Sequence, residues 1–204
     1  MKLFLASEAK NPESVPKMEK FIGGFEGKSA AYIPTAANGE GYGSWHDSRS
    51  LKLAREVFQT VEVVEIERYK EIDIFEMLSG KDVIWVAGGS ASFLAYWLIR
   101  SGLNERIKEY LEKGAYYVGS SAGSMITTKD QTLSTWYIGE EEKGADLLPG
   151  LDLVDFSIYP HYKDEYLEEI KKHSGSTKIY LLKDGEAITV VDGEVRVLGE
   201  ERII

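Results

Sequence analysis

Short, largely apolar runs separated by amphipathic stretches of helical period constrain this chain more than any other feature. Residues 2–6, 30–33, 61–66, 83–87 and 116–119 are mostly apolar rather than strictly alternating, as suits strands buried on both faces of a parallel sheet. Residues 14–22, 48–60, 72–79, 92–100 and 104–113 repeat their apolar side chains at helical spacing. Pro16 lies so close behind Ser14 that the first of these stretches reads either as helix or as turn at its start. The βα order implies an open, doubly wound α/β sheet with right-handed crossovers.

The C-terminal third changes character. Residues 164–173 read as a helix with Leu167 and Ile170 on one face, and 178–182, 187–191 and 194–198 read as strands. Asp192-Gly193 between the last two is a strong two-residue hairpin signal. The expected fold is therefore a mostly parallel sheet ending in an antiparallel hairpin. With 204 residues and no linker-like or repeated segment, the chain reads as a single domain spanning 1–204.

Composition excludes several function classes. The net charge of -10 argues against a nucleic-acid or anionic-membrane surface, which needs basic patches. The absence of cysteine removes a disulfide framework, a thiol nucleophile and a thiolate metal site. Residues 1–7 are too short for a secretory core before Glu8 and Lys10, and no apolar run approaches membrane-helix length, so a cytoplasmic protein is expected.

Against that background one motif stands out. Gly119-Ser120-Ser121-Ala122-Gly123 follows the apolar run 115–118, and Gly-x-Ser-x-Gly at a strand-to-helix turn is the nucleophile-elbow pattern. Any tight βα turn could carry the same five residues, so the pattern needs partners. A serine needs a base, and histidine is the usual one near neutral pH. Of the three histidines, His173 ends a charged helix and reads as a solvated cation, and His46 lies in a glycine-rich loop as a second choice. His161, after Tyr159-Pro160 at an apolar strand end, is the favoured base over a purely structural reading. Asp184, beyond the strand at 178–182, is the chosen orienting acid. Asp184-Gly185 reads equally as a turn, and Glu186, Asp130 and Asp155 are alternatives.

Two oxyanion donors are needed as well, and the N–H groups of Ala122 and of the Gly88-Gly89 turn are suited to it. The stretch from Gly39 to Gly43 lacks the spacing of a phosphate loop and reads as a loop rimming the site. Glu140-Glu141-Glu142 reads as a solvated surface run, and Trp85 and Trp97 as core. No metal-ligand spacing is visible, and no cofactor is expected.

Taken in order, Val86-Ala87-Gly88-Gly89-Ser90, Gly119-Ser120-Ser121-Ala122-Gly123, Pro160-His161-Tyr162 and Leu182-Lys183-Asp184-Gly185 resemble the signatures of the S51 serine peptidases, the family of dipeptidase E and the cyanophycinases. The resemblance implies a class I glutamine amidotransferase-like (flavodoxin-like) three-layer α/β sandwich and a triad in the chain order serine, histidine, acid. It implies Ser121 as nucleophile, His161 as base, and Gly89 with Ala122 as oxyanion donors. Asp184 falls where dipeptidase E has a glutamate. Gly88, Ser90 and Lys163 are the corresponding candidates for substrate contact, and a small peptide is the implied substrate of a monomer or homodimer.

Two departures bear on specificity. Gly88-Gly89-Ser90-Ala91 replaces the family's usual Gly-Gly-Asn-Thr. The segment after Pro160-His161 is shorter than in dipeptidase E and holds no arginine for an acidic substrate side chain, Lys163 being a poor substitute for a bidentate fork. The alternative is a non-peptidase amide or ester hydrolase, or a catalytically silent binding protein, on the same fold.

Overall fold

The computed structural model describes residues 1–175 and 177–204. Strand β1 (Lys2–Ala6) leads through helix α1 (Ser14–Ile22) to β2 (Ser29–Ile33), and α2 (Thr35–Asn38) with α3 (Arg49–Val57) leads to β3 (Thr60–Val63). Helix α4 (Glu71–Leu78) precedes β4 (Val83–Val86), and α5 (Ala91–Arg100) with α6 (Leu103–Glu112) precedes β5 (Tyr116–Ser120). There follow α7 (Ala122–Met125), α8 (Thr132–Thr135), β6 (Ser157–Tyr159), α9 (Leu167–His173), β7 (Ile179–Leu181), β8 (Ala187–Val191) and β9 (Glu194–Leu198).

Seven strands form one sheet in the order β3-β2-β4-β5-β1-β8-β9. Pairing is parallel from β3 to β1 and antiparallel from β1 through β8 to β9. The pleat divides each apolar run between two layers. Leu3 and Leu5 of β1 face the layer of α4, α5 and α6, where they join Ile84, Val86, Leu78, Leu94 and Ile107. Phe4 and Ala6 face the other way, with Tyr32, Trp85 and Val118 against Met18 and Ile22 of α1 and Leu51 of α3. Each leucine, isoleucine, valine, methionine or phenylalanine among them, fully withdrawn from water, contributes about 1.5–3 kcal/mol. This is the three-layer, mostly parallel sheet with a C-terminal hairpin that the pattern of runs implies. Asp192 and Gly193 both take positive φ, 49° and 90°, as a two-residue hairpin loop requires.

Of the two readings of Ser14, the helical one holds: it is the first residue of α1, because a proline at the third helical position gives up an N–H that has no intrahelical partner there. Other boundaries differ from the sequence reading. Strand β3 stops at Val63 rather than running to 66: the Ile66 N–H turns to the Thr35 hydroxyl (3.2 Å) and Glu65 receives the Asn38 amide (2.9 Å). The apolar run near 178–182 does not join the main sheet. It forms a separate two-stranded parallel sheet with β6, which carries Tyr159 and Leu181 into a third apolar cluster with Tyr137 and Ile170. The outer edge of β7 is closed by the last residues, with Leu181 N–H donating to Arg202 O (3.0 Å) and Ile179 N–H to Ile204 O (2.9 Å). The helix after Ser121 is a single turn, α7.

Candidate active site

The parallel strands point their carboxyl ends at one crevice, and the reactive side chains gather there. At the end of β5, Ser121 has φ 50° and ψ −115°, a conformation that costs of order 1–3 kcal/mol and persists only when its surroundings enforce it. Its N–H reaches the carbonyls of Ala6 (3.1 Å), the last residue of neighbouring β1, and of Ser7 (3.0 Å) just beyond it. The flanking glycines are obligatory, since a Cβ on Gly119 would lie 2.6 Å from Gly123 O and one on Gly123 would lie 2.1 Å from Val86 O. The elbow is thus wedged between β1 and β4, with the hydroxyl raised into the crevice.

His161 comes from the other side, at the end of β6, also with positive φ (52°). Its Nε2 lies 3.0 Å from Ser121 Oγ, and its Nδ1 lies 2.6 Å from Asp184 Oδ1 just beyond β7. With Nδ1–H donating to the carboxylate, Nε2 is left as the acceptor facing the hydroxyl. Asp184 occupies the expected tight turn as well, so both readings of Asp184-Gly185 apply: Gly185 has φ 93° and Glu186 N–H closes onto Lys183 O at 3.0 Å.

Charge and burial oppose each other here. Burial, the largest single influence on His161, disfavours its cation. The hydrogen bond and attraction of Asp184, with Glu8 and Glu140 farther off, outweigh it and hold the imidazole pKa above the ordinary histidine value. The reciprocal bond from His161 holds the Asp184 carboxyl below the usual carboxylate range against its own desolvation, aided by His161 charge, the Ser7 hydroxyl and Lys10.

Gly89 has φ 134°, and a Cβ there would stand 2.3 Å from the Ala36 carbonyl, so this turn admits no other residue. The N–H groups of Gly89 and Ala122 meet no protein acceptor among the described residues. A cavity of about 330 Å³ opens beside Ser121, Gly88 and His161 toward Tyr32, Trp45 and the loop after α2.

A sequence model of peptidase family S51 matches residues 3–198. The chain belongs to this family. It is 31% identical over 204 residues to an uncharacterized peptidase of Listeria monocytogenes, covering 95% of this chain and 96% of the relative. It is 23% identical to peptidase E of Pasteurella multocida, covering 94% of this chain and 83% of that one. A crystal structure of a Listeria monocytogenes protein named as a candidate peptidase E superposes with a TM-score of 0.80 at 28% identity, covering 96% of both chains.

The other residues singled out in this S51 peptidase fall elsewhere. His46 stacks on Trp45 with ring centroids 3.9 Å apart and lies outside the cavity lining; His173 stacks on Trp136 (5.3 Å) at the end of α9. Glu186 pairs with Arg202 at 2.8 Å, Asp130 caps the Thr132 N–H at 2.9 Å, and Asp155 is exposed. Ser90 caps α5 by accepting from Phe93 N–H at 3.2 Å, while Lys163 lies outside the cavity with its ammonium over the Tyr166 ring. Among the described residues no group of three or more His, Cys, Asp or Glu side chains is arranged to hold a metal ion.

Two groups escaped the sequence reading. Ser7, fully buried past the end of β1, accepts the His161 N–H (2.8 Å) and donates to Asp184 Oδ1 (2.8 Å), while its carbonyl accepts from Ser121 N–H. The run at 140–142 is not simply a solvated surface. Glu142 folds onto the start of α5, accepting from Ala91 N–H (2.9 Å) and Ser92 N–H (2.6 Å), and Glu140 is thereby brought to the cavity wall. The orphan donors of a helix N-terminus favour a carboxylate, which is why the run turns inward. A serine following an apolar strand was the only available signal for Ser7. Nothing local distinguishes Glu142 from a surface glutamate.

Proposed function

We propose that this peptidase is a serine hydrolase of small peptides, a dipeptidase or short-peptide exopeptidase formed by one domain. Ser121 Oγ attacks the scissile carbonyl carbon as its proton passes to His161 Nε2. The carbonyl oxygen, now an anion, is received by the N–H groups of Gly89 and Ala122. The tetrahedral species collapses as the imidazolium returns the proton to the leaving amine, leaving an ester on Ser121. A water molecule, deprotonated by His161, then attacks that ester; the acid product departs and the serine regains its proton. Asp184 holds the imidazole with Nε2 toward the serine and stabilises its cation.

The single observation that carries this reading is the unbroken chain Ser121 Oγ, His161, Asp184, at 3.0 and 2.6 Å. The test is Ser121→Ala assayed on a dipeptide panel. Turnover is expected to fall by about 10⁴-fold or more with an unchanged thermal midpoint. Turnover equal to the parent protein rules out Ser121 as nucleophile.

A further inference from the structure

We infer that the cavity beside Ser121 is built for a short peptide carrying a basic side chain and discriminates against an acidic one. This rests on the hydrolase reading for the position of the scissile bond, but its evidence is separate.

Among the charged groups on the cavity wall, carboxylates are in excess. Glu8, Glu40 and Glu140 line it, and the one lysine there, Lys10, is already paired with Glu8 at 2.9 Å. That pair cancels, leaving Glu40 and Glu140 without a cationic partner in the lining. The donors best suited to an anion are also spent. The start of α5 faces the same serine, but Glu142 takes its Ala91 and Ser92 N–H groups and accepts from the Ser90 hydroxyl at 3.2 Å. A substrate carboxylate arriving here would find acidic neighbours, and the start of α5 would have no N–H of Ala91 or Ser92 left to offer it.

The uncompensated charge is visible in the protein's own groups. The Glu40 carboxyl is pushed above its ordinary pKa, first by partial burial and then by repulsion from Glu140 and Glu142, with Lys10 only partly offsetting this. A guanidinium or ammonium placed between Glu40 and Glu140 removes that repulsion and meets two acceptors. The apolar stem of such a side chain has a matching surface in the rings of Tyr32 and Trp45 on the same wall. At about 330 Å³ the space suits a ligand of dipeptide size.

The test measures binding apart from chemistry. The Ser121→Ala protein is titrated calorimetrically with Lys-Ala, Ala-Lys, Ala-Ala, Asp-Ala and Ala-Asp at fixed ionic strength. The better of the two lysine peptides is expected to bind at least about fivefold tighter than Ala-Ala, and the aspartyl peptides more weakly than Ala-Ala. In Glu40→Gln/Glu140→Gln on the same background, the advantage of the lysine peptides over Ala-Ala is expected to disappear. Aspartyl peptides binding as well as lysyl ones, an advantage that survives the double substitution, or no measurable binding of any peptide each overturns the inference. Labelling of the parent protein by a fluorophosphonate reports the nucleophile independently. Labelling without basic preference defeats this inference alone, and basic preference without labelling defeats the hydrolase reading alone.

Discussion

The two sides of the crevice are held in different ways. The serine side stands on β5, between β4 and β1 in the middle of a seven-stranded sheet with apolar layers on both faces. Its backbone is locked by glycines at 119 and 123 that leave no room for a side chain. The histidine side stands on two three-residue strands outside that sheet, which pack Ile158 and Tyr180 into the apolar layer on one of its faces and reach the end of β1 through two hydrogen bonds to Ser7. Damage to the backbone turn of the first side is therefore expected to appear as lost stability, and damage to the side-chain bonds of the second as lost geometry with the fold intact.

The largest effect tests the second half of that contrast. His161→Ala is expected to lower kcat by about 10⁴-fold while the thermal midpoint barely moves, as steady-state kinetics beside calorimetry would show. Parallel losses in both would erase the distinction between the two sides. Asp184→Asn comes next, with a loss of about 10³-fold and a displaced pH profile. His161 accepts a proton only when neutral, so kcat/KM of the parent protein rises with pH through a pKa above the ordinary histidine value. Without the Asp184 charge, burial prevails and the acid limb moves to lower pH. An unmoved limb would mean that another group sets it.

Gly123→Ala probes the serine side. The added Cβ meets Val86 O at 2.1 Å, backbone that cannot move aside cheaply, so a loss of about 1–3 kcal/mol in urea unfolding is expected. Ser7→Ala sharpens the contrast from just past the end of β1. It leaves the His161 N–H and Asp184 Oδ1 each short of one partner, and kcat is expected to fall about tenfold at unchanged KM. In the Asp184→Asn background the same substitution should cost much less, and full additivity would show that Ser7 does not act through the acid. Smallest is Glu142→Ala, which leaves the Ala91 and Ser92 N–H groups without their carboxylate while the Ser90 cap stays, at about 1 kcal/mol in the same unfolding assay.

Residues whose positions follow from backbone pattern were legible in the sequence; residues placed by long-range side-chain bonds were not. The runs around Leu5, Trp85 and Val118 announced a sheet buried on both faces, and Asp192-Gly193 announced the hairpin. The Gly-x-Ser-x-Gly turn located Ser121 because its constraint is local and steric. His161 and Asp184 could be named because each directly follows an apolar strand, but that their strands form a separate sheet depends on pairing with residues 202–204, far along the chain. Ser7 lies 154 residues from His161 and 177 from Asp184, a separation at which no spacing rule operates. Glu142 turned inward because a helix start 50 residues earlier offered it donors.

The pairing of β7 with the last residues also has a practical side. Arg202 and Ile204 bond along the strand that precedes Asp184, and Arg202 further clasps Glu186 at 2.8 Å. A protease clip at Glu201 would release the segment that braces the shelf carrying the imidazole's partner. Weak activity in a preparation clipped there would report on the cut rather than on the enzyme.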